Sequence, residues 1–241
     1  LIMKFSNTLV TNFSGSFRGL RNPKNSWNRS DSKFNEYFDI TRGDVTSEEL
    51  LKTCPNAYIH HKNDNGYYAD IIGEADMKLA QNLLKAGGEH SKFMRMIHVS
   101  VDVDMPRYWW SEEDTYHFNT KNSCSTMHKL LNNDNPITKD LFVWCEEDYD
   151  IVSAVVDRLE VLRQEYKSST CATDKNRLLI RAKRLLPEGF LQMRTLDTNY
   201  AELRNMYFQR RSHRLKEEWV DTFCKWAESL PFAKELIFYE G

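Results

Sequence analysis

Between Ile97 and Asp104 the chain alternates, with Ile97, Val99, Val101 and Val103 set against His98, Ser100, Asp102 and Asp104. A period of two sends successive side chains to opposite faces, so the segment predicts a β-strand with one covered face. Pro106, which cannot donate to a ladder, closes it. Whatever covers that face must come from the rest of the chain, which reads mainly as helix. Leu79, Leu83 and Leu84 predict a helix over 74–85 stopped by Gly87-Gly88. Ile151, Val155, Leu159 and Leu162 predict another over 148–166, and a third over 174–186 is stopped by Pro187. The longest is expected over 197–230, bent near His213. Ser47, ahead of Glu48-Glu49, reads as the cap of a short helix. The β-formers of residues 3–13 predict an N-terminal strand. Residues 14–33 read as a polar loop carrying Arg18, Arg21 and Trp27, either functional or a structural Ω-loop. Strands early and helices late imply one α+β domain over residues 1–241.

Lys and Arg number 33 against 35 Asp and Glu, so the net charge of −2 excludes nucleic-acid binding through bulk charge. Hydrophobic residues at 41% with charged residues at 28% are the composition of a globular chain rather than a disordered one. No apolar run approaches the ~20 residues that span a bilayer. Leu1-Ile2-Met3-Lys4 lacks the basic-then-apolar layout of an export signal, so a cytoplasmic location is expected. Cys54, Cys124, Cys145, Cys171 and Cys224 have no C-x-x-C spacing, which argues against zinc and disulfide frameworks and for reduced thiols packed as small apolar groups.

Several familiar sites are absent from the sequence. There is no G-x-G-x-x-G, no Walker lysine motif and no H-E-x-x-H. His60-His61 reads as an accidental pair in a turn, and Glu146-Glu147-Asp148 with Asp150 as an acidic helix start. No metal is expected. Two segments stand out instead. In 106–128, adjacent Trp109 and Trp110 are not expected to share one core, which leaves one for a ligand or another subunit. A capped helix start at Asn122-Ser123 is the structural alternative there. The second segment, 183–218, holds Lys183-Arg184-Leu185-Leu186-Pro187, a turn at Glu188-Gly189, and then Asn199, Asn205, Arg210, Arg211, His213 and Arg214. On one continuous helix Asn199 and Arg210 would stand ~16 Å apart on one face, with Asn205 turned ~120° away. By pattern alone, residues 210–214 read as a solvated face.

Together these segments resemble the flavin-dependent thymidylate synthases over roughly residues 75–230. That family has a proline, an R-H-R-x-x-S-x-N-E-x-S-x-R stretch, and later an L-P, two asparagines and an arginine. Counting from Pro106, R-H-R falls on Thr115, Tyr116 and His117. The Asn falls on Asn122, the Glu on Ser123, the serine on Ser125 and the last Arg on Met127. Leu186-Pro187, Asn199, Asn205 and Arg210 match in type and spacing, and Glu89-His90 looks like the family's Glu-His. The chain also resembles uncharacterised phage and Firmicutes proteins that share Tyr-Trp-Trp and Asn-Ser-x-Ser-Thr-Met-His, which makes an infected bacterial cell the expected setting.

The resemblance implies an α+β fold with a mixed sheet and long C-terminal helices, assembled as a homotetramer. It implies Ser125 and Arg210 on a nucleotide, beside which Asn122, Lys183 and Glu112 are read as further nucleotide contacts, and Asn199, Asn205 and His90 at the cofactor, with His117 standing in for part of its clamp. Arg210, Ser125 and His90 would stand nearest the chemistry. FAD and a folate one-carbon donor would be the co-reactants of C5 transfer to a dUMP-type substrate. Thr115-Tyr116-His117 lacks both guanidinium groups of R-H-R, so flavin would need an altered clamp. The readings carried forward are a nucleotide-modifying enzyme, a non-catalytic nucleotide binder that sequesters a signalling nucleotide or binds a host protein, and an interaction module using Trp109 and Trp110.

Overall fold

The structure, a computed structural model, describes residues 3–240; Leu1, Ile2 and Gly241 lie outside them, and with them half of the N-terminal stretch read above. The chain forms two compact units, Leu1–Asn7 with Val101–Leu196, and Thr8–Ser100 with Asp197–Gly241. In chain order come β1 (Lys4–Thr11), α1 (Phe13–Arg21), β2 (Lys33–Asp39), α2 (Ser47–Thr53), β3 (Ala57–Lys62), β4 (Gly66–Ile71) and α3 (Glu74–Lys85). There follow β5 (His98–Pro106), α4 (Arg107–Glu113), β6 (Thr120–Ser123), α5 (Thr126–Lys129), α6 (Tyr149–Ser168) and α7 (Ala172–Leu185). The chain closes with β7 (Leu191–Asn199), α8 (Tyr200–Arg210), a π-helical stretch Lys216–Cys224, α9 (Lys225–Glu228) and α10 (Ala233–Leu236). Strands pair in the order β1-β5-β7-β6, and separately as an antiparallel β2-β4-β3 sheet.

The 101–196 unit is built on α6 and α7, whose Leu159, Leu162, Leu178 and Ala182 pack with Leu130, Leu131 and Phe142. The expected α6 stripe is buried at Leu159 and Leu162, with Val155 packed against the same cluster; only Ile151 is exposed, and Val156 joins the buried face. Trp109 and Trp110 are both fully buried, contrary to expectation. On a helix, neighbours diverge by ~100°, and a helix covered on several sides can bury both. Trp109 meets Phe5 edge-on, the two indoles cross at 81°, and Trp110 Nε1–H donates to the Gln192 carbonyl at 2.8 Å.

In the 8–100 and 197–241 unit, the expected 14–33 loop is largely ordered helix and turn. Phe13, Phe17 and Leu20 form a buried stripe that Gly15 and Gly19 disguise in the sequence. Two 3₁₀ turns follow, Asn22–Lys24 and Trp27–Arg29. Thr46, not Ser47, caps α2, in a reciprocal box with Glu49, while the Ser47 hydroxyl accepts from Lys62. His60 and His61 lie in β3 rather than in a turn.

The expected 197–230 helix is four pieces. Residues 197–199 finish β7, α8 stops at Arg210, and a turn with an unwound π-helical run follows. The longest helix is α6, of 20 residues. The less exposed Arg194, Leu196 and Thr198 alternate with exposed Met193, Thr195 and Asp197, which is the period of the strand ahead of α8. All five cysteines are free, but only Cys224 is buried; burial, then Glu228, pushes its thiol up to about 12. Cys124, Cys145 and Cys171 are exposed rather than packed.

Candidate anion site and the sequence-predicted residues

At the end of β6 the chain is fastened to β7. Cys124 N–H donates to the Met193 carbonyl at 2.9 Å, and Gln192 Nε2 donates to the Cys124 carbonyl at 3.0 Å. Asn122-Ser123 therefore ends a strand instead of capping a helix, and Ser125 is the cap, accepting from His128 N–H at 3.4 Å. The next hydroxyl, Thr126 Oγ1, accepts from Lys183 Nζ on α7 at 2.5 Å. No carboxylate stands within 4 Å of Lys183 among the described residues. Burial, then the neighbouring Arg107 guanidinium, holds its pKa below the ordinary lysine value. Arg107 opens α4, and its carboxylate is the exposed Glu188 at 3.2 Å. Two partly buried cations that repel each other, beside the Ser125 and Thr126 hydroxyls, form a corner that an anion would stabilise.

Ser125 and Thr126 also edge a cleft of about 240 Å³ with Asp104, Asn133 and Gln192, walled by Leu130 and Phe190. Burial pushes the Asp104 carboxyl above the ordinary range, with Lys4 opposing. Of the sequence-predicted nucleotide contacts, Ser125 and Lys183 meet through Thr126. Asn122 is exposed on β6, and Glu112 is half-buried on α4. Thr126 and Arg107 were not foreseen. The only signals were that one adjoins Ser125 and the other follows Pro106.

The remaining predicted residues belong to the other unit. Asn199 caps α8, accepting from Glu202 N–H at 3.0 Å, so it does not share a helix face with Arg210. Asn205 is exposed and accepts from Gln209 at 2.7 Å. His90 is exposed in a turn. Arg210 and His213 are not the solvated face expected of them: the Arg210 guanidinium lies 4.3 Å over the Trp219 ring, with Nη1 3.1 Å from His213 Nε2. Arg211 and Arg214 are exposed, Arg211 pairing with Glu240.

The stretch aligned with R-H-R fits a flavin clamp poorly. The Thr115 hydroxyl donates to the Glu112 carbonyl at 2.7 Å, Tyr116 is buried, and His117 is exposed. The nearby cations are already committed. Lys121 Nζ sits 2.8 Å from fully buried Glu113 and 3.0 Å from Asp114. Arg194 makes a two-pronged pair with Asp114 at 3.0 and 3.2 Å while lying over the Trp110 ring. A diphosphate here would have to break these pairs. Among the described residues no group of three or more His, Cys, Asp or Glu side chains is placed to hold a metal. No helix among them is long and apolar enough to cross a membrane.

Known structures share this architecture. A flavin-dependent thymidylate synthase, ThyX from Helicobacter pylori, solved with FAD and dUMP, superposes with a TM-score of 0.65 at 16% identity, covering 99% of each chain. The fold is that of the flavin-dependent thymidylate synthases. A second Helicobacter pylori ThyX structure, also with FAD and dUMP, gives a TM-score of 0.60 at 15% identity over 99% of this chain and 98% of the other. No protein-family model matches the sequence, and no curated protein does. The fold of the flavin-dependent thymidylate synthases is thus shared at an identity of only 15–16%.

Proposed function

We propose that this protein binds a pyrimidine nucleoside monophosphate of the dUMP type, with Lys183, Arg107, Ser125 and Thr126 on the phosphate. The carrying observation is the Lys183 ammonium held on Thr126 at 2.5 Å beside a second cation, in a partly buried place without a carboxylate for Lys183. The Helicobacter pylori proteins of this fold were solved with dUMP, which makes the same ligand class the first to try. The nucleotide role that the resemblance gives Arg210, whose guanidinium lies over the Trp219 ring, is a separate proposal. Asn122 and Glu112 flank the phosphate corner in this reading, and the protein works as a homotetramer in the cytoplasm of a phage-infected bacterium.

The non-catalytic reading is preferred to C5 one-carbon transfer, because that chemistry needs an electron donor and a folate. At Thr115–His117 the residues that would clamp FAD are a tethered hydroxyl, a buried ring and one imidazole. His90, Asn199 and Asn205 also have ordinary local roles: a turn, a helix cap and a surface hydrogen bond. Sequestration of the nucleotide, or capture of a host protein by a nucleotide-loaded form, uses the phosphate corner without a redox step.

Calorimetric titration tests the site. Wild type should bind dUMP and ignore deoxyuridine, which lacks the phosphate. Lys183→Met removes one charge-assisted contact of about 1.5–3 kcal/mol and should weaken dUMP about 10- to 150-fold. Equal affinity of wild type and Lys183→Met, or no dUMP binding at all, would sink the assignment.

A further inference from the structure

We propose that the segment following α1 forms a second nucleotide site, for a ligand carrying an aromatic base and at least two phosphates. It lies in the 8–100 and 197–241 unit and does not rest on the reading of Lys183. Residues 13–30 carry Arg18, Arg21, Lys24 and Arg29 and no carboxylate, in a chain whose net charge is −2. Arg21 is neutralised by buried Asp76. Arg18, Lys24 and Arg29 are exposed and make no ion pair among the described residues. A run of cations on a helix face is usually a solvated surface. Here they border cavities.

Two adjoining cavities share Arg21 as a wall. One, of about 280 Å³, is lined by the aromatic rings of Phe17, Trp27 and Phe34, with Arg18 at its edge. The other, of about 700 Å³, is polar, with Lys24, Arg29, Asn25 and Asn28 around it. Trp27 is 49% exposed, and its indole N–H is tied to Asn22 Oδ1 at 2.8 Å, so a large ring is held in one orientation toward solvent. Stacking a base on such a ring is sequence-tolerant, and paired guanidinium and ammonium groups with amides suit phosphate oxygens. The larger cavity falls in the range of about 300–1,000 Å³ that small-molecule ligands occupy, and the smaller lies just under it.

The segment is also built to hold its shape. The Asp76 carboxylate accepts from Arg21 Nε at 2.5 Å and from the Ser30 and Ser32 hydroxyls at 2.6 Å each, pinning both ends of the run. Asp31, the first acid after the run, is turned away to cap α3 through the Ala75 and Asp76 N–H groups. The cations between are left facing the two cavities without local compensation.

The probe is ADP, titrated into the full chain with tryptophan fluorescence and calorimetry in parallel. Wild type should bind ADP with quenching, and Trp27→Ala should abolish most of the quench and weaken binding about 5- to 150-fold. The Lys24→Gln/Arg29→Gln double variant alters only exposed side chains, so it should fold normally and bind ADP at least about tenfold more weakly. Lys183→Met should leave ADP binding unchanged, and Lys24→Gln/Arg29→Gln should leave dUMP binding unchanged, which separates this site from the first. Absence of ADP binding at millimolar concentration, or ADP affinity unmoved in Lys24→Gln/Arg29→Gln, would overturn the proposal. Inorganic pyrophosphate binding as tightly as ADP would overturn the assignment of a base to Trp27.

Discussion

Asp76→Asn is the substitution whose consequence the structure defines most sharply. The residue has no exposed surface, and its two carboxylate oxygens take Arg21 on one side and Ser30 with Ser32 on the other. Burial raises this carboxyl, but the serine hydroxyls and the Arg21 guanidinium outweigh it, and the net pKa is lowered. Asparagine keeps the shape and loses the charge. One of its two terminal atoms becomes an NH₂ donor: turned toward Arg21 it meets a donor-only group, and turned toward the serines it obliges their hydroxyls to rotate and accept. Arg21, itself buried, is then left without its counter-charge. Breaking a buried pair from one side costs about 3–5 kcal/mol, a large part of the roughly 5–15 kcal/mol that holds a typical domain. Urea unfolding followed by circular dichroism should show a lower midpoint at unchanged slope. Arg21→Met alone should cost a similar amount. The double variant should cost at least about 2 kcal/mol less than the sum of the singles, because the second change removes the stranded charge. The lowered pKa also fixes the pH signature. A depressed carboxyl contributes stability above its ordinary 3.8 and loses it as pH falls through the folded value, so wild type should gain on Asp76→Asn above pH 4 and lose that margin below. A loss under about 1 kcal/mol, or strictly additive singles, would refute the view that this pair holds the α1 segment.

Two further outcomes follow from the geometry. Glu160 is held at about 2 chiefly by Arg163, with burial opposing and the Ile137 N–H assisting, so its contribution is complete above 4.5 and is lost as pH falls from 4.5 toward 2. The full shift would be worth about 3 kcal/mol, which solvent at the rim reduces to about 1–2 kcal/mol; Glu160→Gln should flatten acid unfolding by that amount, and an unchanged acid limb would count against it. Protein loaded with FAD should emerge from gel filtration without a visible flavin band, since Lys121 and Arg194 are already bonded to Asp114; a retained band would refute the poor fit at Thr115–His117.

The parts of the fold legible in the sequence are those whose signal is local and periodic. The strand from His98 to Pro106 buries Val99, Val101 and Val103, and α3 spans the expected residues before Gly87, which adopts φ +102°. The helices α6 and α7 were legible in extent, and so was most of the buried face of α6; its first turn was not, because Ile151 and Val156 are equally apolar and only the packing partner chooses between them. The α1 helix was hidden by two glycines and by serines that favour turns when read singly. The burial of both tryptophans was hidden because pattern reasoning counts faces within one element, whereas α4 is covered by residues distant in sequence.

The same limit governs the sites. The resemblance points to Ser125, and Lys183 stands beside the matching Leu186-Pro187, but the hydrogen bond from Lys183 to Thr126 joins residues 57 apart, which no spacing rule reaches. Charge is the clearest case. Read along the chain, 33 cations and 35 acids nearly cancel. In space the cancellation is uneven. Lys121 and Arg194 are locked to Glu113 and Asp114, and Arg163 to Glu160. Lys183 has a hydroxyl and a second cation for company, and Arg18, Lys24 and Arg29 have open cavities. A cation already matched by a buried carboxylate must break that pair to hold a phosphate, whereas an unmatched one gains from it. That difference, rather than the number of arginines in a motif, is why the flavin stretch reads as closed and the two other places as open to an anion.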